Sequence, residues 1–129
     1  MKSVVIDTNG FLRILLNDIP KQAEQVKQII LQAKKERIKI IVPQIILFEI
    51  VFILRKYYNF GKKEIIDKLK SLLSASYFAV ESKDIFQKAL FLYKESNIGF
   101  VDCFLLSYSQ RANAELFTFD QTLKKLQQT

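Results

Sequence analysis

Short runs of β-branched residues alternate with longer amphipathic stretches along this chain, and this alternation constrains the fold most strongly. Strand-like runs occur at residues 3–6, 38–42, 77–80 and 115–119. Strands separated by helices pair in parallel, because a parallel connection needs a crossover of about a dozen residues. The sequence therefore predicts an α/β fold. We expect one domain over residues 1–129, with a central parallel sheet of four to five short strands and helices on both faces.

The helical segments carry start and stop signals. Pro20 suits the first position of a helix, and Pro43 closes the second strand ahead of a nearly all-apolar helix over residues 44–57. After Gly61, one helix face should carry five apolar residues: Ile65, Ile66, Leu69, Leu72 and Leu73. In the helix over residues 101–112 we expect an inward face made of Val101, Phe104, Leu105 and Tyr108.

The amino-acid composition excludes several kinds of chemistry. The chain has no histidine, which excludes Ser-His-Asp triads, Cys-His pairs and histidine metal sites. Its single cysteine, Cys103, excludes an internal disulfide and fits a reducing compartment. No apolar run reaches the roughly 18 residues that span a bilayer, and no secretory leader is evident. We therefore expect a cytoplasmic protein whose chemistry rests on carboxylates, lysines, hydroxyls or a metal.

The net charge of +7 has two interpretations. The lysines are scattered at helical spacing, as on an ordinary solvated surface. A basic domain of this size also favours polyanions, through phosphate contacts and counterion release. Charge alone leaves both interpretations open.

Four of the thirteen acidic residues occupy positions where a carboxylate is unexpected. Asp7 and Asp120 each directly follow a strand-like run, and ligands of parallel α/β sheets bind outside the carboxyl ends of the strands. Glu49 is the only charge within residues 45–54, where burial would cost several kcal/mol unless the charge is paired or bound to metal. Asp102 lies at the predicted start of a helix, where the helix dipole favours a negative charge.

Each of these residues also has an ordinary interpretation. Asp7 and Asp120 suit helix N-caps, Asp102 suits the first turn of a helix, and Glu49 could pair with Arg13 or Arg55. If the fold brought all four carboxylates together, however, their charges would repel one another. A divalent cation would remove that repulsion, and hard oxygen ligands suit Mg²⁺ or Mn²⁺.

Four short motifs carry a family resemblance: Ile6-Asp7-Thr8-Asn9, the helix with Glu49, Phe100-Val101-Asp102 and Phe117-Thr118-Phe119-Asp120. In order and spacing the chain resembles PIN-domain nucleases over essentially its whole length, in particular the VapC-type toxins. The resemblance implies a PIN-like domain with Asp7, Glu49, Asp102 and Asp120 as catalytic and metal-binding residues. Asn9 and Thr118 match polar partners that orient carboxylates, water or phosphate. Arg13 would neutralise the acidic cluster or contact phosphate.

The activity implied by this resemblance is metal-dependent endoribonuclease cleavage of RNA. One or two Mg²⁺ or Mn²⁺ ions would assist hydrolysis of the phosphodiester bond and leave a 5′-phosphate. The resemblance further implies a type II toxin–antitoxin pair, with a cognate antitoxin that blocks the acidic cleft. It also implies a homodimer, whose contact we place on the apolar helix pair around residues 48–58.

Several alternatives remain open on the sequence alone. A PIN-like module could bind RNA or protein without catalysis, or the chain could be a housekeeping RNA-processing nuclease. A phosphatase of the haloacid dehalogenase type also begins with a strand-end Asp, but it needs a second Asp two residues later, where this chain has Asn9. A metal-free RelE-like ribonuclease would use lysine, arginine and tyrosine, and its α+β layout fits this alternation poorly.

Overall fold

Three short strands form one parallel sheet in the order β1-β2-β3: β1 (Lys2–Val5), β2 (Ile38–Val42) and β3 (Phe78–Val80). The register pairs Val5 with Ile41 and Val42 with Val80. The computed structural model describes residues 1–128. The chain divides into two units, Met1–Glu81 and Ser82–Thr129, and the sheet lies in the first.

Four helices flank the sheet in the first unit: α1 (Thr8–Leu16), α2 (Pro20–Lys34), α3 (Gln44–Lys56) and α4 (Lys62–Ser74). Pro20 is the first residue of α2, as predicted, and Pro43 is the N-cap of α3. The central strand supplies the fully buried Ile40 and Val42. All five apolar residues predicted for one face of α4 are buried, which confirms that face as core.

The second unit contains three helices within residues 82–128: α5 (Lys83–Glu95), α6 (Phe100–Arg111) and α7 (Gln121–Gln127). Aromatic rings join α5 to α6, with the ring centre of Phe86 4.8 Å from that of Phe104 and 6.1 Å from that of Phe100. Within residues 1–128, no helix is both long enough and apolar enough to cross a membrane.

The inward face predicted for α6 is wrong at three of its four positions. Phe104 is buried, but Val101, Leu105 and Tyr108 are 55%, 42% and 50% exposed. The buried face consists instead of Phe100, Cys103, Phe104, Leu106, Ser107 and Ser109. This helix has two apolar stripes, one containing Phe100 and Phe104 and the other containing Val101, Leu105 and Tyr108. Packing against α5 buries the first stripe and leaves the second exposed.

The predicted strand at residues 115–119 is also wrong, so the parallel sheet has three strands rather than four to five. The side-chain amide of Gln127 forms hydrogen bonds with the backbone of this segment instead. Leu116 N–H donates to Gln127 Oε1 at 2.6 Å, and Gln127 Nε2 donates to the Leu116 carbonyl at 3.0 Å. Both hydrogen-bonding groups that a neighbouring strand would satisfy at Leu116 are therefore satisfied by one side chain.

Candidate functional site

Asp7 lies two residues beyond the end of β1 and is the N-cap of α1. Its carboxylate Oδ1 accepts a hydrogen bond from the Gly10 N–H at 2.8 Å. The ordinary interpretation of Asp7 as a helix cap is therefore confirmed. The cap uses one carboxylate oxygen, so Oδ2 is not committed to it. Capping and cation binding are compatible at this residue.

Gly10 allows this cap to form, because the first turn of α1 sits directly on the buried Ile6. A Cβ atom at position 10 would lie 2.5 Å from Ile6 Cγ2 and 3.4 Å from Asp7 Oδ1. The first distance is far inside van der Waals contact, so any side chain here would displace Ile6 or the helix. The turn that holds the Asp7 carboxylate therefore depends on a missing side chain.

Glu49 is not the buried charge that the surrounding apolar run suggested. It is exposed on α3, in line with Ile45 and Phe52, which are 61% and 55% exposed. The opposite face of α3 provides the buried residues: Ile46, Leu47, Ile50, Val51 and Leu54. Because α3 is apolar on both sides, the apolar run did not determine which side Glu49 occupies. A solvated carboxylate needs no buried partner.

Arg13 pairs with Asp18 and not with Glu49. Its Nη1 lies 3.3 Å from Asp18 Oδ1, and its side chain is only 14% exposed. Asn17 ends α1 in the left-handed conformation, with φ 51°, and the turn there precedes Asp18. Arg13 is thus partly neutralised at the far end of α1, while Asn9 is exposed in the first turn of that helix.

Glu81 is a further carboxylate at the carboxyl ends of the parallel strands, and the sequence analysis did not single it out. It directly follows β3; its N–H donates to the Val42 carbonyl at 2.9 Å, and its Oε1 accepts the Gln44 N–H at 3.4 Å. Glu81 therefore helps to cap α3, whose N-cap residue is a proline without a capping side chain. Its position directly after a strand, like that of Asp7 near β1, is the signal that could have identified it.

In the second unit, Asp102 lies in the first turn of α6, three residues after the N-cap Gly99, and is half-buried. This location agrees with the ordinary interpretation of a first-turn carboxylate stabilised by the helix dipole. Cys103 beside it is buried, with its thiol 3.9 Å from the Ile98 carbonyl oxygen. The cysteine therefore packs as a small apolar residue.

Asp120 is the N-cap of α7, with Oδ1 accepting the Leu123 N–H at 2.9 Å. Because residues 115–119 form no strand, Asp120 does not lie at a strand end, and that basis for choosing it was wrong. Thr118 positions it instead, since Thr118 Oγ1 accepts the Asp120 N–H at 3.1 Å. The predicted role of Thr118 in orienting a carboxylate, water or phosphate stays a prediction.

The candidate ligands divide between the units: Asp7 and Glu49 lie in the first, and Asp102 and Asp120 lie in the second. Over residues 1–128, neither unit gathers three Asp, Glu, His or Cys side chains into a group that could hold a metal ion. Neither unit therefore carries a complete metal site among its described residues.

Comparison with known proteins agrees with the family resemblance. The family model for the PIN domain matches residues 4–128, a span that includes all four candidate carboxylates. The VapC ribonuclease of Aquifex aeolicus (strain VF5) is 25% identical over 123 residues, which cover 95% of this chain and 90% of that relative. Since the family model matches nearly the entire sequence, the chain belongs to the PIN domain family.

Proposed function

We propose that this protein is a metal-dependent endoribonuclease, and that residues 1–129 act as one PIN-like nuclease domain. The observation that carries the proposal is the way Asp7 and Asp120 are held. Each caps a helix through Oδ1 alone, which fixes the carboxylate and leaves Oδ2 for a cation. Membership of the PIN domain family and the similarity to a VapC ribonuclease support the same activity.

The donor atoms at the candidate positions fit Mg²⁺ or Mn²⁺. All are carboxylate oxygens, which these hard cations prefer, and the chain offers no histidine to attract softer metals. Asp7, Asp102 and Asp120 would hold one or two ions, with Glu49 as a further ligand or as the base that orients water. A bound ion would supply Lewis-acid stabilisation of the charge that develops on the phosphate.

The chain's own residues then have separate tasks. Thr118 holds the backbone of Asp120, and Gly10 allows the tight turn at Asp7. Asn9, exposed beside Asp7, would orient water or phosphate. Arg13 would contribute positive charge near the acidic residues, reduced by its ion pair with Asp18.

The test is cleavage of a defined RNA by the purified protein, with Mg²⁺ or Mn²⁺ and with EDTA. We expect metal-dependent cleavage that leaves 5′-phosphate ends, lost in the Glu49→Gln variant and kept in Glu95→Gln, which alters an exposed glutamate at the end of α5. Cleavage that persists in EDTA would favour a metal-free ribonuclease. RNA binding without cleavage by the unmodified protein would favour the non-catalytic module.

We further propose that the nuclease is the toxin of a type II toxin–antitoxin pair and acts in the cytoplasm. The similarity to a VapC ribonuclease supports this role over that of a housekeeping nuclease. Expression in a bacterial host should arrest growth, and the product of an adjacent reading frame should relieve the arrest by blocking the acidic site. Normal growth with high levels of active nuclease would favour a housekeeping role.

A homodimer is proposed on the exposed aromatic residues at the C-terminal end of α3. Phe52, Tyr57 and Tyr58 are 55%, 65% and 40% exposed, which is unusual for three aromatic side chains within seven residues. A second copy would cover them. We expect sedimentation at the dimer mass for the unmodified protein and at the monomer mass for Phe52→Lys; a monomer in both would reject this contact.

A further inference from the structure

Two phenylalanines in the segment before Asp120 are almost fully exposed. Phe117 is 81% exposed and Phe119 is 83% exposed, the two highest values among the aromatic residues of the chain's described part. Their ring centres are 5.3 Å apart, with the ring planes at 80° to each other. Phenylalanine is normally among the most buried residue types, so an adjacent exposed pair indicates a binding surface.

The rings are presented by a segment whose backbone is held at several points. Gln127 binds both backbone groups of Leu116, at 2.6 and 3.0 Å. On the other side, Thr118 accepts the N–H of Asp120, which itself caps α7. A surface fixed in this way loses little conformational freedom when a ligand binds. The two phenylalanines are therefore presented by a backbone that is already ordered before a ligand binds.

An open cavity of about 490 Å³ adjoins both rings. This volume lies in the range of pockets that hold small organic ligands. Besides the phenylalanines, polar and charged side chains line it, including Thr118, Lys124 and Gln128, with Glu115 as its acidic member. Aromatic faces beside hydrogen-bonding groups and a lysine match the way proteins hold unpaired nucleobases, by stacking and by contacts to base edges and phosphate.

The position of the rings favours RNA over a protein partner as the occupant. Phe119 is the residue directly before Asp120, a proposed metal ligand, so a nucleotide bound there would lie next to the cleavage site. Lys124 and Lys125 of α7 and the net charge of +7 favour a polyanion. An apolar partner surface would gain nothing from the lysine and amide groups that line the same cavity.

We infer that Phe117 and Phe119, with Lys124, form a stacking subsite for unpaired bases of the RNA next to the cleaved bond. This inference rests on the proposed nuclease function and specifies how the substrate is held. It predicts that the protein prefers single-stranded RNA at this site, because bases in a duplex cannot offer their faces to the rings.

The test measures binding of a labelled RNA oligomer by fluorescence anisotropy in EDTA, which suppresses cleavage, as a single strand, as a duplex and with abasic residues. Phe117→Leu and Phe119→Leu should each weaken single-strand binding at least about fivefold, the lower end of measured stacking effects. Phe119→Trp should keep the affinity, because the aromatic face remains. Phe91→Leu, which changes another exposed phenylalanine, should have no effect.

Cleavage kinetics in Mn²⁺ distinguish this inference from the proposed function. The leucine variants should raise KM with little change in kcat, and abasic RNA should remove the difference between them and the unmodified protein. Active protein whose RNA binding and KM are unaffected by Phe→Leu would overturn the stacking subsite and leave the nuclease intact. So would leucine variants that change only the sedimentation mass, since the rings would then contact protein. Absence of all cleavage would instead overturn the proposed function.

Discussion

Asp7 and Asp120 are held by the same bond in different surroundings. Each caps a helix through Oδ1 and the N–H three residues later, at 2.8 Å for Asp7 and 2.9 Å for Asp120. Asp7 follows a strand that is paired along its length with β2. Asp120 follows an irregular segment held by the side chains of Gln127 and Thr118.

The difference shows that a carboxylate can be fixed either by a sheet or by a few side chains. Near Asp7 the strand sets the backbone, and the packing of Gly10 on Ile6 completes the turn. Near Asp120 there are no hydrogen bonds between strands, so individual side-chain hydrogen bonds determine where the Asp120 backbone lies. Substitutions around Asp7 should therefore act through packing, whereas those around Asp120 should act through hydrogen bonds.

The largest expected effect comes from Asp7→Asn and Asp120→Asn, which separate the cap from the proposed metal ligand. Asparagine caps helices about as well as aspartate, so the free energy of unfolding should change by less than about 1 kcal/mol. RNA cleavage should fall by more than about 100-fold, beyond the loss typical of residues that only support a ligand. Asp67→Asn, an exposed acid on α4, is the control for charge. Full activity in either variant would show that its residue is only a cap.

The next largest effect tests whether packing of Gly10 on Ile6 holds the turn at Asp7. Gly10→Ser should destabilise the protein by up to about 3 kcal/mol, because its Cβ would meet Ile6 Cγ2 at 2.5 Å. Gly99→Ser is a matched control, since nothing lies within 4 Å of a Cβ there and serine is a good N-cap for α6. Thermal unfolding of both variants measures the difference. Equal midpoints would mean that Ile6 moves aside at no cost.

A substitution at Gln127 tests whether hydrogen bonds hold the segment before Asp120. Gln127→Met keeps the side-chain volume but removes both bonds to Leu116, with an expected loss of about 2 kcal/mol at roughly 1 kcal/mol per bond. The Leu116 amide should also lose its protection from hydrogen exchange, while Gln128→Met should leave it unchanged. Protection that survives in Gln127→Met would indicate that another group holds the segment.

The smallest expected effect is at Thr118. Thr118→Val removes the hydroxyl that accepts the Asp120 N–H and should lower the unfolding free energy by about 0.5–1.5 kcal/mol. Cleavage should fall about tenfold, as for other residues that orient a ligand. Thr118→Ser keeps the hydroxyl and should restore most of the activity. If serine and valine behave alike, the methyl group matters and the hydroxyl does not.

The sequence predicted correctly those elements whose bounds depend on local residue preferences. Residues 38–42 form a strand with the predicted bounds, and Pro20 begins α2, because β-branched runs and proline act locally. The segment at 115–119 has an equally strand-like pattern but forms no strand. The hydrogen bonds from Gln127, eleven residues away, are a tertiary contact that no local pattern encodes.

For the candidate site residues, local capping was predictable from the sequence, but exposure was not. The caps at Asp7 and Asp120 followed from their place before helices. The exposure of Glu49 did not, because α3 has apolar residues on both faces and only packing decides which face is covered. For the same reason, the spacing in α6 could not distinguish the buried stripe with Phe100 from the exposed stripe with Val101.

Direct measurement of Mn²⁺ binding tests the central claim that the capping carboxylates also hold a metal ion. Isothermal titration calorimetry would compare the unmodified protein with Asp7→Asn, Asp120→Asn and the control Asp67→Asn. We predict that both cap-preserving variants lose at least about tenfold in Mn²⁺ affinity, equivalent to about 1.4 kcal/mol, with unchanged thermal unfolding. Asp67→Asn should bind as the unmodified protein does. Equal Mn²⁺ affinity in all four proteins would contradict the account and leave Asp7 and Asp120 as helix caps alone.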